Sequence, residues 1–279
     1  MSGKLYLVST PIGNLGDITI RALETLRNAD FIAAEDTRVT RKLLSHFEIK
    51  CPLVSYHEHN RRWSGEKIIA RILEGENCAL VSDAGTPAIS DPGEELVRLC
   101  AAEGIEILPI PGAVAAIAAL TVSGLAAGRF CFEGFLSTAR RSRREHLDAI
   151  KTETRTMLFY EAPHKLLDTL RDLLEVLGDR EVSVSRELTK LHEETLRTTL
   201  SGALRHFEET APRGEFVLVV AGCERVERIE DERRYTLEEA LELMGRYREE
   251  GHRPTEAARL AAAETGYDRR ELYARGNRV

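Results

Sequence analysis

Apolar residues fall along this chain in two recurring patterns: short unbroken runs, and longer segments with apolar positions three or four apart. The runs at 5–8, 31–34, 53–56, 79–81 and 105–108 have the length and composition of buried strands. Between them lie amphipathic segments. In the one over 65–74, Ile68, Ile69, Ile72 and Leu73 share a face, Glu66, Lys67, Arg71 and Glu74 lie elsewhere, and Gly75 ends it. Strand and helix in alternation predict a mostly parallel sheet with crossover helices.

From Arg129 the rhythm changes. Candidate strands at 130–132, 157–160, 182–185, 195–200 and 216–220, with one strong helix over 164–177, predict a mixed sheet. An apolar helix over 114–122 joins the two units. After Gly222 the mixed-charge run CERVERIEDERR reads as an exposed linker or solvated helix face. Helical periodicity resumes at Tyr235, and PTEAARLAAAETGYDRRELYARG predicts two short helices, with Pro254 near the start of the first and Gly266 at its end. The expected organisation is α/β: domains 1–115 and 116–222, a ligand cleft between them, and a linker with a small helical tail over 223–279.

At 279 residues, 43% hydrophobic and 6% aromatic, the composition is globular and excludes disorder and collagen. The longest apolar stretch, 113–127, is broken by Thr121, Ser123 and Gly124 and falls short of the ~20 residues of a membrane span. No membrane partner is expected. Met1-Ser2-Gly3-Lys4 leads straight into a strand without an apolar signal core, so a cytoplasmic location is expected. Five scattered cysteines without a C-x-x-C pair suit a reducing compartment and argue against structural zinc. A net charge of −7 means that any nucleic-acid contact must come from local patches.

Three loops follow predicted strands at the edge where open α/β sheets bind ligands: STPIGN (9–14), SDAGTPAISDPG (82–93) and PGAVAA (111–116). Each mixes glycine or proline with small residues, which lets backbone approach a ligand. None matches the glycine-rich patterns that cradle a pyrophosphate, so NAD and ATP lose their main support. An adenosine ligand without phosphates fits better, and S-adenosylmethionine (SAM) is one.

TPIGNLGDIT, AAEDTR (33–38), SDAGTPAISDPG, EGF (133–135), FYEAPH (159–164) and RELTK (186–190), in this order, resemble the ribosomal RNA small-subunit methyltransferase I family of the tetrapyrrole methylase superfamily. The match spans about 5–222; the tail resembles the family's helical extension more loosely. The resemblance implies a tetrapyrrole-methylase-like fold of two α/β domains and a homodimer. It also implies SAM-dependent 2'-O-methylation of a cytidine in 16S ribosomal RNA, at the position numbered 1402. By motif position it places SAM against Ile12, then Ala84, Gly85, Thr86 and Ile89, then Val114 and Ala115, then Tyr160 or Glu161, and Leu188. Two positions depart from the family's usual proline: Ser9 and Ser137. The tail departs at Gly276 and Asn277.

Such a transfer needs in-line placement of the ribose 2'-oxygen and removal of its proton, and no metal. Candidate groups are Glu35, Asp36 and Arg38, His57 in YHEHN, Glu161 and Lys190. Among these, Asp36, His57, Glu161 and Lys190 are the catalytic candidates, with the base unassigned. Each has a plainer reading. Glu35-Asp36-Thr37 is also a helix N-cap pattern, His57 and His59 share a face without a third ligand at recognisable spacing, and His164 sits where a helix cap would. For RNA contacts the candidates are Arg38 and the cluster Arg140, Arg141, Arg143 and Arg144, whose plainer reading is a solvated loop entering a helix. The tail's Arg253, Arg259, Arg269, Arg270, Arg275 and Arg278 alternate with acids, which makes a DNA-reading motif weak and no DNA partner expected. Two other functions remain open: methylation of a tetrapyrrole or another small molecule, and a non-catalytic ribosome-assembly role.

Overall fold

The computed structural model describes residues 2–223 and 235–276, so the charged run after Cys223, and Asn277 to Val279 with Arg278, lie outside the described residues. The chain divides into two compact units, Met1–Cys223 and Glu224–Val279.

In the first unit, five strands alternate with helices: β1 (Lys4–Val8), α1 (Ile20–Asn28), β2 (Phe31–Ala34), α2 (Thr37–His46), β3 (Leu53–Ser55), α3 (Arg61–Leu73), β4 (Cys78–Val81), α4 (Gly93–Ala102) and β5 (Glu106–Ile110). The strands form one all-parallel sheet in the order β3-β2-β4-β1-β5. Phe31, Ile32, Ala33 and Ala34 are all fully buried, as expected of an unbroken apolar strand covered on both faces. Pro109 sits on β5, at the sheet edge, where its missing N–H breaks no ladder.

The second sheet uses β6 (Phe130–Gly134), β7 (Thr156–Glu161), β8 (Glu181–Arg186), β9 (Glu194–Thr199) and β10 (Phe216–Val220), in the order β6-β7-β10-β8-β9. β6 and β7 are parallel and the other pairs antiparallel, so the sheet is mixed as the sequence predicts. Helices α6 (Arg140–Ala149), α7 (Leu166–Leu177) and α8 (Leu200–Glu209) accompany it, two more than the apolar pattern shows. α5 (Ala115–Ser123) packs through Ala116, Ala119 and Leu120 against Leu158, Val217 and Val219 of this second sheet and Leu188 of the loop after β8. The linking helix is thus part of the second sheet's core.

The tail unit holds α9 (Leu237–Glu249), α10 (Pro254–Thr265) and α11 (Arg269–Gly276) around Ala240, Met244, Ala257, Ala258, Ala261 and Leu272. Thr236 and Glu239 close a capping box at the start of α9. Gly266, at φ +75°, ends α10 where the sequence places the stop.

Candidate active site

The loops at the carboxyl edge of the first sheet are tied to one another by backbone. Thr10 N donates to Gly85 O at 2.9 Å and Gly85 N to Thr10 O at 3.1 Å. Gly85 has φ +82°, and a Cβ there would stand 3.3 Å from Ile12 Cγ2 and 3.4 Å from Ala113 O. Thr86 donates its hydroxyl to Ala113 O at 3.2 Å, which leaves Ser9 as the donor in the 2.8 Å pair between the Ser9 and Thr86 hydroxyls. Ser9 is buried and through Thr86 links the first loop to the second and third.

Two non-glycine residues of the second loop, Ala88 and Ser90, have φ of +68° and +63°. The Asp91 carboxylate holds that turn by accepting from Ala88 N at 2.9 Å, Ile89 N at 3.2 Å and Gly93 N at 2.7 Å. From the second sheet, Tyr160 Oη accepts from Ala116 N at 3.1 Å and so docks the first turn of α5; burial pushes its phenol pKa up. Leu188 lies between Glu187 and Thr189, which have φ of +52° and +66°.

These pieces enclose a cavity of about 640 Å³, a size that suits a drug-sized ligand. Ile12 lines it from the first loop, Ala84, Gly85, Thr86 and Ile89 from the second, Val114 and Ala115 from the third, Tyr160 from the second sheet and Leu188 from the loop after β8. The structure brings together all nine positions that the sequence motifs point to. Glu35, Asp83, Asp91, Glu161 and Glu215 also line it, and no Lys or Arg does among the described residues. Of these five carboxylates only Glu215 is ion-paired among the described residues, with Lys190, so the wall is inhospitable to a phosphate and favourable to a cationic ligand.

Of the four catalytic candidates only Glu161 lines the cavity. It is 4% exposed, and its carboxylate accepts from Ala162 N and from the Thr169 hydroxyl. Asp36 caps α2 by accepting from Arg38 N at 2.8 Å and pairs with the Arg38 side chain, which holds its carboxyl far below the usual range. The N-cap reading is therefore the one the geometry shows. His57 lies outside the cavity with its ring 6.0 Å from His59, and its Nδ1 is buried without a hydrogen-bond partner among the described residues. No group of three potential metal ligands occurs among the described residues.

Lys190 lays its stem across Gly13, where a Cβ would fall within touching distance of the Lys190 stem, clashing with its Cγ. The single glycine of TPIGN thus makes room for a lysine. Burial lowers the Lys190 pKa, but the carboxylates of Glu187 at 2.8 Å and Glu215 at 3.2 Å outweigh it and raise it above the ordinary value. His164 is not a cap, since α7 begins at Leu166, and it lines the cavity.

Sequence reasoning missed Asp83, Asp91 and Phe135 as lining residues although they stand in its motifs, and it missed Phe216 and Val217. The last two lie in an all-apolar strand that carries no signal beyond burial. Glu35, a candidate there, lines the cavity; burial, and next the Asp83 charge, raise its carboxyl pKa.

The arginine cluster divides. Arg140 is exposed and has no partner among the described residues, and Arg141 is 91% exposed beside Glu145. Arg144 bridges to Asp148 and Glu175. Arg143 instead is 14% exposed, pairs with Asp172 of α7 and donates to Thr169 Oγ1 at 2.9 Å. Arg38 is 83% exposed.

Comparison with known proteins agrees with this geometry. Residues 4–204 match the model of the Tetrapyrrole (Corrin/Porphyrin) Methylases. A Ribosomal RNA small subunit methyltransferase I from Synechocystis sp. is 53% identical over 97% of this chain and 96% of its own length, and one from Halalkalibacterium halodurans 49% over 97% and 93%. The chain belongs to the ribosomal RNA small subunit methyltransferase I family of tetrapyrrole methylases. Among solved structures, uroporphyrin-III C-methyltransferase from Thermus thermophilus, complexed with S-adenosyl homocysteine, shares the fold at a TM-score of 0.55 and 18% identity, over 78% of this chain and 97% of that one. The family's cofactor is SAM. The cavity fits it, with apolar walls for an adenosine, carboxylates for a sulfonium and an ammonium, and no phosphate cradle.

Proposed function

We propose that this protein transfers a methyl group from SAM to the ribose 2'-oxygen of a cytidine in 16S ribosomal RNA, at the position numbered 1402. The observation that carries the reading is the cavity wall of five carboxylates, small residues and no cation. Near-full-length similarity to small-subunit ribosomal RNA methyltransferases directs it to that RNA. When bound, SAM supplies a methyl on a cationic sulfur, whose bond to carbon breaks as the bond to the 2'-oxygen forms.

The chain's residues place the reactants and take up the proton. Ile12, Gly85 and Ala115 line the cavity and limit the pose of what enters it. Glu161 is fixed in its rotamer by Thr169, and Glu35 and Asp83 line the same cavity from the carboxyl edge of the first sheet, so a carboxylate is available to accept the proton of a hydroxyl brought there. Arg140, Arg141 and Arg144 offer exposed cations to RNA phosphates.

The same reading carries the remaining expectations: a cytoplasmic homodimer, with the two sheets of the first unit as its two α/β domains. No helix among the described residues is long and apolar enough to cross a membrane. The test incubates the protein with labelled SAM and small subunits lacking the modification, then digests the RNA to nucleosides. Label co-migrating with 2'-O-methylcytidine supports the reading; label on a base, on a tetrapyrrole precursor only, or nowhere opposes it.

A further inference from the structure

Beside the large cavity lies a second of about 250 Å³, walled by the opening loop, by α2 and by Ser82 and Asp83. Ser82 and Asp83 line the large cavity as well, so the two share a seam. We propose that the second cavity receives the base of the target nucleoside, turned out of the RNA strand, with its ribose at the Ser82–Asp83 seam. The inference rests on the reading of the protein as an RNA ribose methyltransferase and adds where and how the substrate is held.

Size is the first argument. Drug-sized ligands occupy roughly 300–1,000 Å³, and the second cavity falls just below that range, at the scale of a single base. Wall chemistry is the second. Leu15, Val39 and Leu43 supply apolar surface of the kind on which an extruded base packs. Thr40, 2% exposed, is part of the same wall, and its Oγ1 is buried without a hydrogen-bond partner among the described residues. Buried hydroxyls are rarely left unmet, and the polar edge of a base would satisfy this one.

Charge is the third argument, and it separates the two cavities. Carboxylates line the larger, which disfavours a phosphate there. The smaller has a single lining carboxylate, Asp83 at the seam, against five in the larger. Lys42 lines it, exposed and without an ion-pair partner among the described residues. A polyanionic strand is therefore favoured on the α2 side, while the cationic cofactor occupies the carboxylate side. A nucleoside reaching across the seam brings its ribose to the edge of the cofactor cavity, the geometry that in-line transfer requires.

The test uses the full-length chain and two variants. Val39 is 40% exposed, so Val39→Trp fills the cavity from its solvent side; Thr40→Val removes the hydroxyl and keeps the volume. For Val39→Trp the expected result is unchanged SAM affinity by calorimetry and methyl transfer to small subunits reduced by about 100-fold, the scale of a misplaced substrate. For Thr40→Val it is transfer reduced by about tenfold, the effect of one absent hydrogen bond, again with SAM affinity unchanged. Transfer at the wild-type rate by a folded Val39→Trp protein overturns the assignment and leaves the ribose methyltransferase reading intact.

A second arm is independent of activity: cytidine is titrated into the S-adenosylhomocysteine-loaded protein and followed by amide NMR shifts. Shifts at residues 39–43 that vanish in Val39→Trp support the site, even if the wild type methylates no subunit and the functional reading fails. Absence of those shifts, or their persistence in the variant, overturns it; if Val39→Trp does not fold, Thr40→Val decides by the same readings.

Discussion

Thr169 donates its hydroxyl to the carboxylate of Glu161 in a fully buried contact between α7 and the end of β7. The same oxygen accepts from Arg143, so a line of hydrogen bonds runs from the Asp172–Arg143 pair to a carboxylate in the cavity wall. Thr169→Val cuts that line while preserving shape. It is expected to lower unfolding free energy by about 1–3 kcal/mol, the cost of unsatisfied buried groups, and to lower kcat with a smaller effect on the KM for SAM. Urea denaturation and steady-state methyl transfer read the two effects.

The four arginines of α6 are expected to separate in experiment. Neutralising Arg140, Arg141 and Arg144 together leaves thermal stability near wild type and reduces the salt dependence of RNA binding. The slope falls by about 0.7 for each phosphate on a single strand that no longer meets a cation. Arg143→Gln does the reverse: stability falls by about 1–3 kcal/mol, because Asp172 and Thr169 lose their partner, and the salt slope stays. Filter binding across a salt series and thermal melts distinguish them.

Replacing Gly85 with valine strains a backbone at φ +82° and pushes a side chain toward Ile12 and Ala113 O. The expected outcome is a folded protein by circular dichroism whose SAM affinity is reduced by at least about tenfold. Unchanged affinity by calorimetry would remove Gly85 from the cofactor site.

The strands were legible because burial on both faces leaves unbroken apolar runs; 31–34 and 216–220 coincide with β2 and β10. Boundaries moved where partners distant in sequence draw further residues into an element. β5 runs on past 108 through Pro109 and Ile110, beside Leu7 and Val8 of β1, and α3 starts at Arg61, which pairs with Glu95 at 2.9 Å, four residues before the apolar period becomes visible. At the site, glycine and proline loops announce themselves because backbone geometry restricts which residues they tolerate. Whether an arginine faces solvent or α7 depends on the rotation of α6 against its neighbour, and RRSRR carries no mark that distinguishes Arg143 from Arg144. Lys190 over Gly13 was invisible for the same reason, since the pairing joins positions far apart in sequence.

Glu35 gives a pH prediction. Burial, and then the Asp83 charge, raise its folded pKa above the ordinary 4.5, so the fold favours its neutral form. Its stabilising contribution is fully present below the unfolded pKa and is lost as pH rises through the raised folded value. Glu35→Gln is therefore expected to melt higher than the wild type at pH 7, with the gap closing as pH falls toward 4.5. A constant gap across that window in calorimetric melts would contradict the assignment.

Ribose methylation of small-subunit RNA is read most directly by alkali. A 2'-O-methyl group removes the nucleophile that cleaves the adjacent phosphodiester, so after incubation with labelled SAM and unmodified small subunits the RNA is hydrolysed in base. The expected product is label in one alkali-resistant dinucleotide that begins with cytidine. Label released wholly as mononucleotides, or RNA without label, would contradict ribose methylation by this protein.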